Sequence, residues 1–177
     1  MAELTGPFRF CRSCGQPGGD WLRDQEFRCG SCGFRYFQSV ATACGVLIEH
    51  EGAVLFLVRA QEPSRGKLGL VGGFLDPGED LERGLAREVK EEIGAEVTGL
   101  SFLGSFPNRY RFGGVTYHTC DVYFRGSLAT PADQLITDPG EVTEVRWLSP
   151  SEVREEDLAF PSLRMLWTSL RGAGFSR

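Results

Sequence analysis

Nowhere in the 177 residues does an apolar run approach the roughly 20 positions a membrane-crossing helix needs, and no apolar leader precedes Cys11. A cytoplasmic protein that does not cross a membrane is therefore expected. Histidine is scarce: the two present, His50 and His118, have no neighbours in sequence that suggest a nucleophile–base relay. Internal repeats and low-complexity tracts are absent. So is any basic excess, because the formal net charge is −5. Residues 1–38 carry five arginines against four acids, and the remainder fourteen Lys or Arg against twenty acids. Neither part has the electrostatic footprint of a general nucleic-acid binder, so nucleic acid is not an expected partner.

What is present fits one full domain plus a small appendage. The appendage is marked by cysteines. Four of the six form Cys11-x2-Cys14 and Cys29-x2-Cys32, each pair followed closely by a glycine suited to a tight turn. Two such knuckles facing one another make a closed four-thiolate site, whose metal would be structural because no coordination position stays open. Zn²⁺ is the expected ion; a four-thiolate iron site and a pair of disulfides are the alternatives. Pro17-Gly18-Gly19 is expected to form the turn between the knuckles. Cys44 and Cys120 sit in apolar, strand-like runs and are expected to pack as small hydrophobes.

A second constellation lies in GFLDPGEDLERGLAREVKEEIGA, residues 73–95. Asp76-Pro77-Gly78 signals a turn, after which Leu81, Leu85, Ala86, Val89 and Ile93 recur at helical spacing and Gly94 is placed to end the helix. At about 100° per residue, Glu88, Glu91 and Glu92 share one face. Three carboxylates so close repel one another, and oxygen donors of this kind suit a hard divalent cation such as Mg²⁺ or Mn²⁺. Gly72-Gly73 allows the backbone to approach a ligand.

The pattern Gly73-x5-Glu79-x7-Arg87-Glu88-Val89-x-Glu91-Glu92-x-Gly94-Ala95 resembles the signature of the Nudix hydrolases. Only Ala95 departs, standing where a larger aliphatic residue is usual. The resemblance implies that the Gly73 carbonyl, Glu88 and Glu92 hold catalytic Mg²⁺ or Mn²⁺, and that Glu91 is a further ligand or positions the attacking water. It also implies that Arg87 and Glu79 orient the acids. A further acid from a distant loop is expected at Glu141, with Glu144 and Asp138 as substitutes. Several Nudix hydrolases acting on dinucleotides carry a four-cysteine ribbon ahead of the catalytic domain, and the order here is similar: a zinc ribbon in residues 1–37, then a Nudix domain in residues 38–177. The implied fold is α/β, an α/β/α sandwich with a mixed sheet. The implied activity is metal-dependent hydrolysis of the pyrophosphate linkage in a nucleoside diphosphate derivative, giving a nucleoside monophosphate. The Ser-Gln-Pro-Trp-type motif of the NADH pyrophosphatase branch is missing; residues 105–114 read SFPNRYRFGG, so ADP-ribose stands beside dinucleotides as a candidate substrate. A nucleotide-binding module or sensor without turnover is the alternative, and a homodimer is compatible with either reading.

The remaining pattern is strand-rich. Strands are expected over Val40–Glu49, Ala53–Arg59, Leu68–Val71, Glu96–Phe106, Thr116–Arg125 and Glu141–Trp147, with a hairpin turn at His50-Glu51-Gly52. Leu163, Leu166, Trp167 and Leu170 step at helical spacing and predict a C-terminal helix docked on the core. Arg59, Arg65, Lys67, Arg109 and Arg111 are available around the expected cleft, Arg59 being the candidate phosphate contact. Phe106 and Tyr110, flanking an expected Pro-Asn turn, are the candidate substrate-facing aromatics.

Overall fold

The computed structural model describes residues 8–23 and 25–173; the outer ends of the expected ribbon and catalytic domain lie outside the described residues. The chain divides into two compact units, Met1–Val40 and Ala41–Arg177, a little beyond the expected division after Phe37.

In the first unit a small antiparallel sheet has β1 (Asp20–Leu22) and β2 (Glu26–Arg28) between the knuckles and β3 (Arg35–Phe37) after the second, paired in that order. Alternation along these strands sets Trp21, Phe27 and Tyr36 opposite one another. Phe8 closes over them, its ring centroid 5.0 Å from both Trp21 and Tyr36. Residues 17–19 are not the turn expected between the knuckles. Pro17 bridges Phe10 and the Gly18 N–H donates to the Arg9 carbonyl at 3.1 Å, so this stretch is paired with residues 9–10.

The second unit opens with β4 (Ala41–His50) and β5 (Ala53–Arg59), joined by Glu51 and Gly52 at φ 50° and 79°, the left-handed pair a two-residue hairpin requires. There follow β6 (Leu68–Gly69), α1 (Leu81–Ile93), β7 (Val97–Phe112), β8 (Val115–Leu128), β9 (Val142–Leu148) and α2 (Pro161–Ala173). The strand order is β6-β5-β4-β8-β7, with β9 also paired to β5. β4 and β8 are parallel while the other pairings are antiparallel, so the sheet is mixed.

Strand periodicity explains the layering. On β4 and β5, Cys44, Val46, Ile48, Leu55 and Leu57 face one core with Leu85, Val89 and Ile93 of α1. Their neighbours Leu47, Val54, Phe56 and Val58 face a second core with Leu163, Leu166, Trp167 and Leu170 of α2. A sheet buried on both faces between two helices is the α/β/α sandwich. α1 is bounded at both ends and α2 at its start: the Asp80 carboxylate accepts from the Arg83 N–H at 2.8 Å, Gly94 closes α1 at φ 65°, and Pro161 opens α2. Among the described residues, no helix is long and apolar enough to cross a membrane.

Two local expectations are overturned. Ala86 is exposed rather than part of the packed stripe, and Gly84 takes the buried position under Leu75. Pro107-Asn108 is not a turn: β7 runs unbroken through it, with Pro107 opposite Cys120 and Asn108 opposite Thr119. Among the described residues β7 pairs only with β8, so the N–H that proline lacks is one an edge strand can forgo. The reversal occurs instead at Gly113-Gly114, at φ 57° and 81°.

Candidate active site

A cavity of about 440 Å³ opens along the sheet beside α1, lined at one end by Gly72, Gly73, Glu88, Glu92, Glu141 and Arg59. Glu88 and Glu92 lie four residues apart on α1, while Leu85, Val89 and Ile93 on the buried face anchor the helix. The segment 71–74 runs beside β4, with the Val46 N–H donating to the Val71 carbonyl at 2.9 Å and the Cys44 N–H to the Gly73 carbonyl at 2.8 Å. Two glycines make this approach feasible. A Cβ on Gly72 would fall onto the Cys44 carbonyl, and one on Gly73 would lie 2.6 Å from the Glu88 carboxylate.

The electrostatics follow from crowding. Burial pushes the Glu92 carboxyl up to about 8; the Gly72 N–H, donating at 2.8 Å, works against this, and the charges of Glu88 and Glu141 add to it. Burial also raises Glu88, opposed by the Arg87 guanidinium at 2.9 Å. The Cys44 thiol is raised to about 11, first by burial and then by the charge of Glu88. Glu88 and Glu92, half-buried and mutually repelling, offer oxygen donors that suit a hard divalent cation.

Arg87 is the hub of the remaining acids. Its guanidinium grips Glu79 through two hydrogen bonds of 2.8 and 3.0 Å, and also reaches Glu88, Glu91 and the Phe74 carbonyl, each at 2.9 Å. Glu91 is exposed and does not line the cavity. Of the distant acids, Glu141 lies in the cavity wall. Glu144 is exposed on β9, paired with Arg146 at 2.6 Å, and Asp138 accepts from the Gly140 N–H at 2.7 Å within its own turn. Glu141 is brought in by a register shift between β5 and β9 at Val58/Arg59 and held by the Ala60 N–H, which donates to its carbonyl at 2.8 Å.

Among the candidate cations only Arg59 lines this cavity, its guanidinium 4.9 Å from the centroid of Phe160. Arg65 and Lys67 line a separate, smaller hollow with Arg146 and Arg154, and Arg109 and Arg111 line neither. Tyr110 lines the cavity; Phe106 does not, because it packs into the α2-side core against Tyr123 at 6.2 Å. Sequence reasoning missed Phe74 and Phe160, and a buried polar group of Asn108, Thr119 and Asp121 in the same cavity. Only the period-two alternation along β7 and β8 could have placed these polar residues on one face.

In the first unit the knuckles are near copies: the Gly15 N–H donates to the Cys11 carbonyl at 2.9 Å, and the Gly33 N–H to the Cys29 carbonyl at 3.0 Å. The Sγ atoms of Cys11, Cys14, Cys29 and Cys32 all lie within 4.8 Å of one another, with Cys11–Cys32 and Cys14–Cys29 at 3.7 Å. A tetrahedron with metal–sulfur bonds of about 2.3 Å has edges of about 3.8 Å. None of the four is in a disulfide.

The second unit is thus a mixed sheet sandwiched by helices, with a glycine-bounded loop set against helical glutamates. The Nudix domain profile matches residues 38–166, and the chain belongs to the Nudix family. Among curated proteins it is 30% identical over 169 residues to the NAD-capped RNA hydrolase NudC of Deinococcus radiodurans, covering 94% of this chain and 58% of that one. It is also 30% identical to NudC of Pseudomonas putida over 145 residues, covering 80% and 48%. The chain thus spans about half the length of these curated relatives. A Nudix hydrolase from Nitrosomonas europaea superposes with a TM-score of 0.71 at 26% identity, over 94% of both chains.

Proposed function

We propose that the protein hydrolyses the pyrophosphate linkage of a nucleoside diphosphate derivative, of the ADP-ribose or dinucleotide type, releasing a nucleoside monophosphate. The observation that carries this reading is the joining, in one cavity, of the acidic group Glu88, Glu92 and Glu141 with an aromatic end around Tyr110. Glu88, Glu92 and the Gly73 carbonyl would hold Mg²⁺ or Mn²⁺, with Glu141 completing the acidic wall. The cation, when bound, neutralises charge developing on the phosphate oxygens and makes bound water more acidic. Arg87 fixes the Glu88 rotamer and Glu79 fixes Arg87, so the acid is oriented before substrate arrives. Arg59, stacked against Phe160, is placed to receive a phosphate. Glu91, exposed and tied to Arg87, restrains that guanidinium rather than facing the cavity.

The cysteine cluster would hold a structural Zn²⁺, stabilising a unit whose own core is a handful of aromatics. The two units correspond to a ribbon and a catalytic domain in a cytoplasmic enzyme. The curated relatives are named for an RNA substrate capped by a dinucleotide. With its net charge of −5, this chain fits recognition of the nucleotide group itself rather than of an RNA body.

The test is release of nucleoside monophosphate from ADP-ribose, NAD and NADH with Mg²⁺ or Mn²⁺. Turnover abolished by a chelator and restored by the cation is expected. Tight nucleotide binding without turnover at any cation concentration would instead identify a sensor.

A further inference from the structure

A buried carboxyl also lines this cavity. Asp121 on β8 is only 6% exposed, and its neighbours Asn108 and Thr119 are 7% and 3% exposed. The Thr119 hydroxyl donates to Asp121 Oδ1 at 2.6 Å, while Asn108 Nδ2 and the Ser162 hydroxyl donate to Oδ2 at 2.9 and 2.5 Å. None of these partners is cationic. Burying a carboxylate without a counter-charge is costly, and a neutral side chain would join β8 to α2 more cheaply. The excess cost calls for a use.

The rings that line the same cavity point to one. Tyr110 lies 5.3 Å from Phe74, 5.9 Å from Phe160 and 6.3 Å from Phe112, centroid to centroid, all lining the same cavity as Asp121. Flat heterocycles stack on such faces. Oδ1 accepts one protein hydrogen bond while Oδ2 accepts two, and a carboxylate oxygen has capacity for about two. Oδ1 therefore retains acceptor capacity for a donor on the ring's edge. A carbonyl oxygen in that place would face a carboxylate.

We infer that Asp121, positioned by Asn108 and Thr119, is the specificity-determining residue for the heterocycle, selecting a ring that presents an N–H₂ group over its carbonyl or carboxylate analogue. This deepens the hydrolase reading and rests on it. The shared chemistry has two sources, the exocyclic amine of adenine and the carboxamide of nicotinamide. Two substrate pairs separate them: ADP-ribose against its hypoxanthine analogue, and NAD against the dinucleotide bearing nicotinic acid.

The experiment measures kcat/KM for the four compounds with Mg²⁺ in the full chain, in Asp121→Asn and in Ser162→Ala. A site built to hydrogen-bond one group rejects the analogue lacking it by roughly 10²-fold or more. Wild type is expected to show such a ratio in one pair, which names the ring that is read. Asp121→Asn, which donates as well as accepts, collapses that ratio. Ser162→Ala, which cuts the tie to α2 without touching the cavity wall, lowers Tm but keeps the ratio. If wild type hydrolyses both members of each pair equally, or Asp121→Asn slows all four compounds by the same factor, Asp121 is only structural and the inference fails. Should Asp121→Asn not fold, Thr119→Val, which removes the hydroxyl that fixes Oδ1, takes its place: a lowered ratio is expected, and an unchanged one overturns the inference. If none of the four is hydrolysed, the hydrolase reading itself fails and takes this inference with it.

Discussion

Arg87 and Glu79 form a two-pronged ion pair, Nε to Oε1 at 2.8 Å and Nη2 to Oε2 at 3.0 Å, across the loop that precedes α1. The pair spans only eight residues, yet it decides where the cavity acids point, because the same guanidinium holds Glu88. Its Nη1 also bonds Glu91, so one arginine restrains three glutamates.

The Arg87 guanidinium, together with the Asp76 N–H, holds the Glu79 carboxyl down at about 2. A depressed acid contributes stability that is present above its unfolded value near 4.5 and is lost as pH falls through the folded value. Glu79→Gln is therefore expected to lower Tm at neutral pH and to flatten the fall of Tm between pH 4.5 and 2. Thermal melts across that window measure it.

Glu92→Gln keeps an acceptor for the Gly72 N–H while removing a carboxyl whose ionisation Glu88 and Glu141 oppose. The variant is expected to fold with an unchanged or raised Tm. Its kcat/KM should fall by about 10² or more, as when an electrostatic element of the transition state is removed. Retention of full activity would remove α1 from the mechanism.

Gly73→Ala and Gly72→Ala separate function from folding. A methyl at 73 presses on a carboxylate that can swing away, so Mn²⁺ affinity and turnover should drop while Tm changes little. At 72, where φ is 142°, it meets the Cys44 backbone, which cannot yield, so Tm should fall. Isothermal titration with Mn²⁺ and calorimetric melts distinguish the two.

Glu141→Gln is expected to reduce turnover, whereas Glu144→Gln, which only breaks an exposed pair with Arg146, should leave it within about twofold. Parallel kinetics on the two variants test which acid serves the cavity.

Removal of metal from the thiolate cluster should disturb the first unit. Trp21 packs against Phe8 and Phe27 beside Cys11 and Cys29, so its fluorescence is expected to change when a strong chelator strips the ion. Elemental analysis should return one zinc per chain, and none in Cys29→Ser.

Local regularities made much of this molecule legible in its amino-acid order. Helical spacing alone aligned Glu88 with Glu92 and set Leu85, Val89 and Ile93 behind them, because every neighbour in that argument lies within one or two turns. The same holds for the cysteine knuckles, where each pair is made by one tight turn. Only the tertiary structure decided which distant groups meet. Asn108 and Asp121 are thirteen residues apart and share a hydrogen bond through the register of β7 on β8. Glu141 rather than Glu144 reaches the cavity through a one-place shift between β5 and β9. Pro107 continued a strand where its residue type suggested a turn, because β7 lies at the sheet edge. Such outcomes depend on strand order and register, which are set by burying both sheet faces at once and not by any short stretch of chain.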